Sequence, residues 1–271
     1  VVEPASSGIG GGGYLVYQVE GAGGVVGFPM KGPISATPDM YQLTGEGATG
    51  VFGWPRVIND ENIEGYRSIA IPGAVAGLCE AHQRFGKLPL KDVLEPAIRL
   101  ARFGHHPSWH YIYSIGSLAS MLFNYDELRR IFMPDGQMPI GDLVTPYVFK
   151  QPDLANVLNE IATKGPNGFY KGDVAQALTS EIQANGGVLS MKDMENYRPF
   201  IWNNGLEFSY RGYTLRVPPF ACAGITSAMT LKLLDGFDLS AMGDNSADML
   251  HTYISCARLA YADRFEYLAD P

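Results

Sequence analysis

"SSGIGGGGYLVYQV", residues 6–19, sets a glycine-rich run directly before an apolar, β-prone stretch, and the element that the glycines lead into decides the fold. Gly8, Gly10 and Gly13 match the G-x-G-x-x-G spacing of a phosphate cradle. That cradle works only when a helix comes next, because the helix's first-turn N–H groups and positive dipole end hold the pyrophosphate. Here Leu15-Val16-Tyr17-Gln18-Val19 comes next, and its β-branched and aromatic residues predict a strand. The glycine-rich stretch Gly21-Ala22-Gly23-Gly24 then reads as a turn before a second short apolar run at 25–28. The loop is expected to open a β-hairpin.

Outward from this hairpin the pattern turns helical. Leu90, Val93, Leu94, Ala97, Ile98 and Ala101 recur at helical spacing and Gly104 is placed to stop them, so a helix is expected over 88–104 with its stripe against a core. Before it, 74–85 sets Val75, Leu78, Cys79 and His82 on one face and ends at Gly86, which predicts a helical hairpin with 88–104. Further helices are expected at 111–123, 154–163, 173–185 and 223–235. A long amphipathic helix should start at the cap Ser246, with Leu250, Tyr253, Ile254, Ala257 and Tyr261 on one face. A second hairpin is expected over 206–217, where two alternating runs flank Arg211-Gly212. The fold class is therefore α+β and helix-rich, with strands too few to form a sheet domain alone.

The 271 residues are 46% hydrophobic and 18% charged, ordinary for a chain with a real core. A net charge of -8 argues against a nucleic-acid partner, since such a surface repels phosphates. No run of about 18 apolar residues predicts a membrane span, and no charged-then-apolar leader opens the sequence. Cys79, Cys222 and Cys256 are widely spaced and odd in number, which favours buried thiols over a disulfide framework or a zinc site. Neither end carries a clear start or stop signal, so the chain reads as part of something longer.

No cluster of side chains forms a catalytic machine at this level. His106 and His110 have the i, i+4 spacing of a shared metal, but Pro107 breaks the helix there and no third ligand is near, so no metal is expected. His82 reads as a core histidine. Asp263-Arg264-Phe265-Glu266 reads as a solvated helix face. Ser6 and Ser7 have no histidine partner in view and no G-x-S-x-G elbow.

Five ordered blocks nevertheless resemble one family: VVEPASSGIGGGGYLVY (1–17), IPGAVAGLCEAHQRFGKLPLKDVLEPAIRLARFG (71–104), GPNGFYKGDVAQALTSEIQANGGVLSMKDMENY (165–197), YRGYTLRVPPFACAG (210–224) and AYADRFEYLADP (260–271). They resemble the γ-glutamyltransferase, or γ-glutamyl transpeptidase, family. The resemblance implies an N-terminal-nucleophile hydrolase of glutathione metabolism. Its precursor, a zymogen, cuts itself into a large and a small subunit that stay paired in an α-β-β-α sandwich. This chain would be the large-subunit portion, a single domain over 1–271, completed by a separate small subunit. The catalytic threonine would open that small subunit, with its own α-amino group as base. No catalytic residue is then expected here, and Thr37 and Thr226 lack the free amine. No cofactor is implied, and the substrate would be a small amide or peptide. The family resemblance points to a periplasmic or extracellular location, with the cytoplasm left open.

One departure bears on substrate. After the second strand the family typically reads F-R-E-x-A-P, its arginine gripping the α-carboxylate of the glutamyl group, whereas this chain reads Phe28-Pro29-Met30-Lys31-Gly32-Pro33. Pro29 and Met30 offer no rigid donor fork. Lys31 is a point charge two positions on, displaced by about 6 to 7 Å in an extended segment. Pro29, Met30 and Lys31 are thus the expected substrate-binding positions, with an acyl preference altered from γ-glutamyl. Two other readings stay open, a non-catalytic scaffold of the same fold and a nucleotide-binding protein.

Overall fold

The computed structural model describes residues 1–49, 53–140, 146–219 and 222–268, so residues 220–221 and 269–271 of the family-like blocks lie outside it. In chain order come β1 (Gly13–Val19), β2 (Ala22–Phe28), β3 (Leu43–Thr49) and β4 (Trp54–Val57). Then come α1 (Ala74–Phe85), α2 (Leu90–Phe103), α3 (Trp109–Ser117), α4 (Ala119–Leu122), α5 (Asp126–Phe132), α6 (Pro152–Lys164), α7 (Asn167–Tyr170), α8 (Gly172–Ala184) and α9 (Met191–Asn196). Last are β5 (Phe200–Asn203), β6 (Leu206–Tyr210), β7 (Tyr213–Val217), α10 (Ala223–Leu234), α11 (Leu239–Met242) and α12 (Ala247–Tyr267). The helix-rich α+β class is as expected. Two compact units result, one of Val1–Gly13 with Phe28–Arg198 and one of Tyr14–Gly27 with Pro199–Pro271.

The first unit is helical around two apolar clusters. Ile71, Val75, Leu158, Ile161, Phe169, Tyr170, Leu189, Met194 and Tyr197 form the larger, and Tyr111, Ile115, Leu122, Met133 and Phe149 the smaller. Helix α1 has the expected bounds, and of its expected face Val75 is buried and Cys79 packs against the core, but the buried side is wider and leaves Leu78 out. Ala74, Val75, Ala76, Gly77 and Ala81 are buried while Leu78 is exposed, because the ring of Phe28 lies where a side chain at Gly77 would stand. Small residues on that face let the helix sit against Phe28. The anticipated α1–α2 hairpin is also revised, since α2 takes α6 as its main packing partner.

No side chain of its own caps α1; the rest of the unit supplies the acceptors. The carbonyl of Gly11 accepts from Gly73 N and Ala74 N, both at 2.9 Å. The hydroxyl of Tyr170 accepts from Ala76 N at 3.2 Å and donates to Pro72 O at 2.7 Å. Buried helix ends need such partners.

The first unit also carries the two-stranded β3–β4 sheet, and the second holds the two-stranded β6–β7 sheet and a three-stranded one. The order of the latter is β1-β2-β5, with β2 and β5 antiparallel in the register Val25 to Trp202 and Val26 to Ile201. The first hairpin turns at Glu20-Gly21 and the β6–β7 hairpin at Arg211-Gly212, all four residues with positive φ. That is the two-residue turn whose twist suits a hairpin. Gly23 and Gly24, expected in the turn, lie inside β2 instead. Side chains there would collide with the Arg216 guanidinium and with Tyr17 Oη, so the glycines admit those groups. Helix α12 starts at Ser246 as expected, its hydroxyl accepting from Met249 N at 3.1 Å. Its buried residues are Cys256 and Ala260, whereas Leu250, Tyr253, Ile254 and Tyr261 of the predicted stripe are exposed. Among the described residues no helix is long and apolar enough to cross a membrane.

Candidate active site

The glycine loop and the segment after β2 meet within the first unit. A Cβ on Gly12 would stand 2.5 Å from Met30 N, 2.7 Å from Phe28 O and 2.9 Å from Pro29 C, so two stretches of backbone touch where only hydrogen fits. The loop thus opens a strand, β1, and presses on the positions singled out from the sequence. Beside it lies a cleft of about 540 Å³ whose lining includes Ser6, Ser7, Gly8, Gly12, Val75, Leu78, Gln151 and Leu158. Such a volume suits a small molecule.

The expected site residues fall together with distinct environments. Pro29 is half-buried and its carbonyl accepts from Tyr197 Oη at 2.7 Å. Met30 is 56% exposed. Lys31 exchanges backbone hydrogen bonds with Ile71, N to O at 3.3 Å and O from N at 2.8 Å. Its ammonium donates to Arg198 O at 3.3 Å and lies 5.1 Å from the centre of the Tyr197 ring. Beyond it Ile34 N donates to Asp193 Oδ1 at 2.8 Å, and Ser35 Oγ to Val188 O at 3.1 Å. This site presents an exposed thioether and a cation held on a carbonyl and a π-face.

The other candidates take structural places. His82 Nε2 donates to Leu88 O at 2.8 Å and closes the α1–α2 connection, so it clamps a loop and is not a core residue. His106 Nδ1 donates to Tyr147 O at 3.2 Å, and no group of three His, Cys, Asp or Glu suited to a metal occurs among the described residues. Ser6 and Ser7 close a turn on the carbonyl of Glu3. Asp263 and Glu266 are exposed, while Arg264 Nη1 donates to Cys222 O and Thr226 Oγ1, both at 3.0 Å, and ties α12 to the start of α10. Sequence reasoning passed over Asp193 and Tyr197. The only signal for Asp193 was the Ser190-to-Asp193 capping-box spacing at the start of α9, which accounts for one of its two oxygens.

This mixed helical and sheet architecture, with a glycine loop leading into a strand, matches that of γ-glutamyltranspeptidase-type N-terminal-nucleophile hydrolases. The chain superposes on the gamma-glutamyltranspeptidase of Helicobacter pylori with a TM-score of 0.85 and 30% identity, covering 100% of this chain and 74% of that one. The family model described as Gamma-glutamyltranspeptidase matches residues 1–271, and the chain belongs to that family. It is 36% identical over 276 residues to the Acylase ACY 1 proenzyme of Pseudomonas sp. (strain V22), covering 100% of this chain and 48% of the relative. It is 31% identical over 275 residues to the Glutathione hydrolase proenzyme of Escherichia coli (strain K12), covering 100% of this chain and 45% of the relative. The chain therefore spans about half the length of the curated relatives it matches.

Proposed function

We propose that the complete protein is an amidohydrolase and acyltransferase whose acyl preference has moved away from γ-glutamyl. Its nucleophile is the threonine that opens a separate small subunit. The carrying observation is the segment after β2. Where the family's arginine and glutamate are expected stand Pro29, with its carbonyl occupied by Tyr197, and Met30, with an exposed thioether. A free glutamyl group brings a carboxylate and an ammonium, which need a cation and an anion in fixed places. Lys31 supplies only a point charge, already engaged by Arg198 O and the Tyr197 ring. An acylase among the relatives is in keeping with this reading.

The test compares the processed complete enzyme on γ-glutamyl-p-nitroanilide and on glutaryl-p-nitroanilide, which has the same chain length and no ammonium. The expected result is a higher kcat/KM for the glutaryl substrate. Turnover of the γ-glutamyl substrate at the level of a standard transpeptidase would overturn the proposal. Pro29→Arg is expected to raise kcat/KM for the γ-glutamyl substrate about tenfold or more, the worth of one charged hydrogen-bond pair.

A further inference from the structure

Asp193 is 2% exposed, yet it lies far in sequence from the candidate site. Its carboxylate is filled by neutral donors from two places. Oδ2 accepts from Ser190 N at 2.8 Å and Ser190 Oγ at 2.5 Å, within its own helix start. Oδ1 accepts from Ile34 N at 2.8 Å, in the segment just past Lys31. A buried carboxylate is costly unless every oxygen is hydrogen-bonded, and here the bond to Ile34 completes the set. Four residues on, Tyr197 Oη reaches Pro29 O at 2.7 Å while its ring lies flat on Tyr170, 5.7 Å away at 7°, and under the Lys31 ammonium. One short helix and its exit thus grip the segment at both ends, and Pro29, Met30 and Lys31 lie between the grips.

We infer that Asp193 and Tyr197 are positioning residues that fix the reach of Met30 and Lys31 and thereby set acyl-group selectivity. The inference rests on the proposal that residues 29–31 meet the acyl group. Pro29 has no N–H to bond, and Gly32 and Pro33 are poor at holding a side chain's direction, so the segment depends on partners from outside, the backbone pairing of Lys31 with Ile71 and the two grips on either side of it. Tyr197 is the sharper of the two. Its hydroxyl can be removed while the ring that supports Lys31 stays.

The test uses the complete, processed enzyme carrying Tyr197→Phe or Asp193→Asn. Asparagine would present an N–H to one of the two backbone donors, Ser190 N or Ile34 N, and so loosen one grip. Ser108→Ala, which removes the α3 cap that Ser108 Oγ makes on Tyr111 N, serves as a variant of similar destabilisation that touches none of the segment. The readout is the ratio of kcat/KM for the γ-glutamyl and glutaryl anilides. A shift on the order of tenfold is expected for Tyr197→Phe and Asp193→Asn, because ångström displacements of binding groups change rates steeply. No shift is expected for Ser108→Ala. A ratio unchanged within about twofold in both variants would overturn the inference, as would an equal shift in the control. Hydrogen exchange at the Lys31 and Ile34 amides gives a second readout independent of turnover. If the wild type hydrolyses neither anilide, the functional reading fails alone, and the brace is then judged on exchange: faster exchange in Asp193→Asn supports it, unchanged exchange overturns it.

Discussion

Gly12 and Gly8 belong to one loop and look alike in the sequence, yet their surroundings predict opposite outcomes. Nothing lies within 4 Å of a Cβ on Gly8, whereas one on Gly12 would meet backbone of Phe28, Pro29 and Met30. Backbone cannot swing aside as a long side chain can. Gly12→Ala is therefore expected to lower stability by about 1–3 kcal/mol despite the entropy that alanine removes from the unfolded chain. Gly8→Ala should stay within about 0.5 kcal/mol. Urea midpoints for the two variants decide this, and a midpoint for Gly12→Ala at or above the wild type would refute the close approach. At this scale the sequence exposed the oddity of Pro29-Met30-Lys31 because it could be set against a family pattern. It could not distinguish Gly12 from Gly8, nor show that Asp193 and Tyr197 hold that segment, since these partners are brought together by the fold and share no periodic pattern.

Elements were legible where local chemistry and packing agree. The bounds of α1, the Ser246 cap of α12 and the β6–β7 turn follow from helical spacing, a capping hydroxyl and a glycine with positive φ. The short α9 and β5 carry too few residues for a period, and the glycines of β3 make it read as a loop. The capping of α1 by Tyr170 was hidden for the same reason as the Asp193 grip, and it carries a pH prediction. Burial, aided by the nearby Tyr197 and Cys79, pushes the Tyr170 phenol above its ordinary 10.0, with the Ala76 N–H pulling the other way. The folded state therefore keeps the phenol neutral where the unfolded chain would ionise. Below about pH 10 both states are neutral and the group adds no pH dependence; above it the unfolded state loses the proton first, so stability falls as pH rises. Tyr170→Phe is expected to lower stability by about 1–3 kcal/mol at neutral pH, since Ala76 N and Pro72 O lose their partner. Its stability should then decline less steeply than the wild type's above about pH 10. Urea unfolding at neutral and alkaline pH measures both, and parallel declines would show that Tyr170 does not ionise on unfolding.

At the scale of the molecule, the stripe on α12 joins the sequence reading to the question of a partner. Leu250, Ile254 and Tyr261 recur on one helical face, the pattern of a helix that buries that face, yet they are 46%, 53% and 45% exposed in this chain. The buried contacts of α12 come from Cys256 and Ala260 on a neighbouring face, and Arg264 pins the helix to α10. In the three-stranded sheet, β1 and β5 are the outer strands, each with β2 as its neighbour among the described residues. An exposed apolar stripe is the kind of surface that soluble chains cover with another polypeptide or another segment. A small subunit in the proposed heterodimer would be such a cover. Expressed alone, residues 1–271 should therefore bind the dye ANS strongly and associate as concentration rises, while the complete proenzyme should do neither. Leu250→Lys with Ile254→Lys should restore a dye-silent monomer for this chain alone and impair assembly of the complete protein. Light scattering and dye fluorescence on the two forms make the comparison; a dye-silent, monomeric wild-type chain would mean that the exposed stripe needs no cover and that α12 is not an interface.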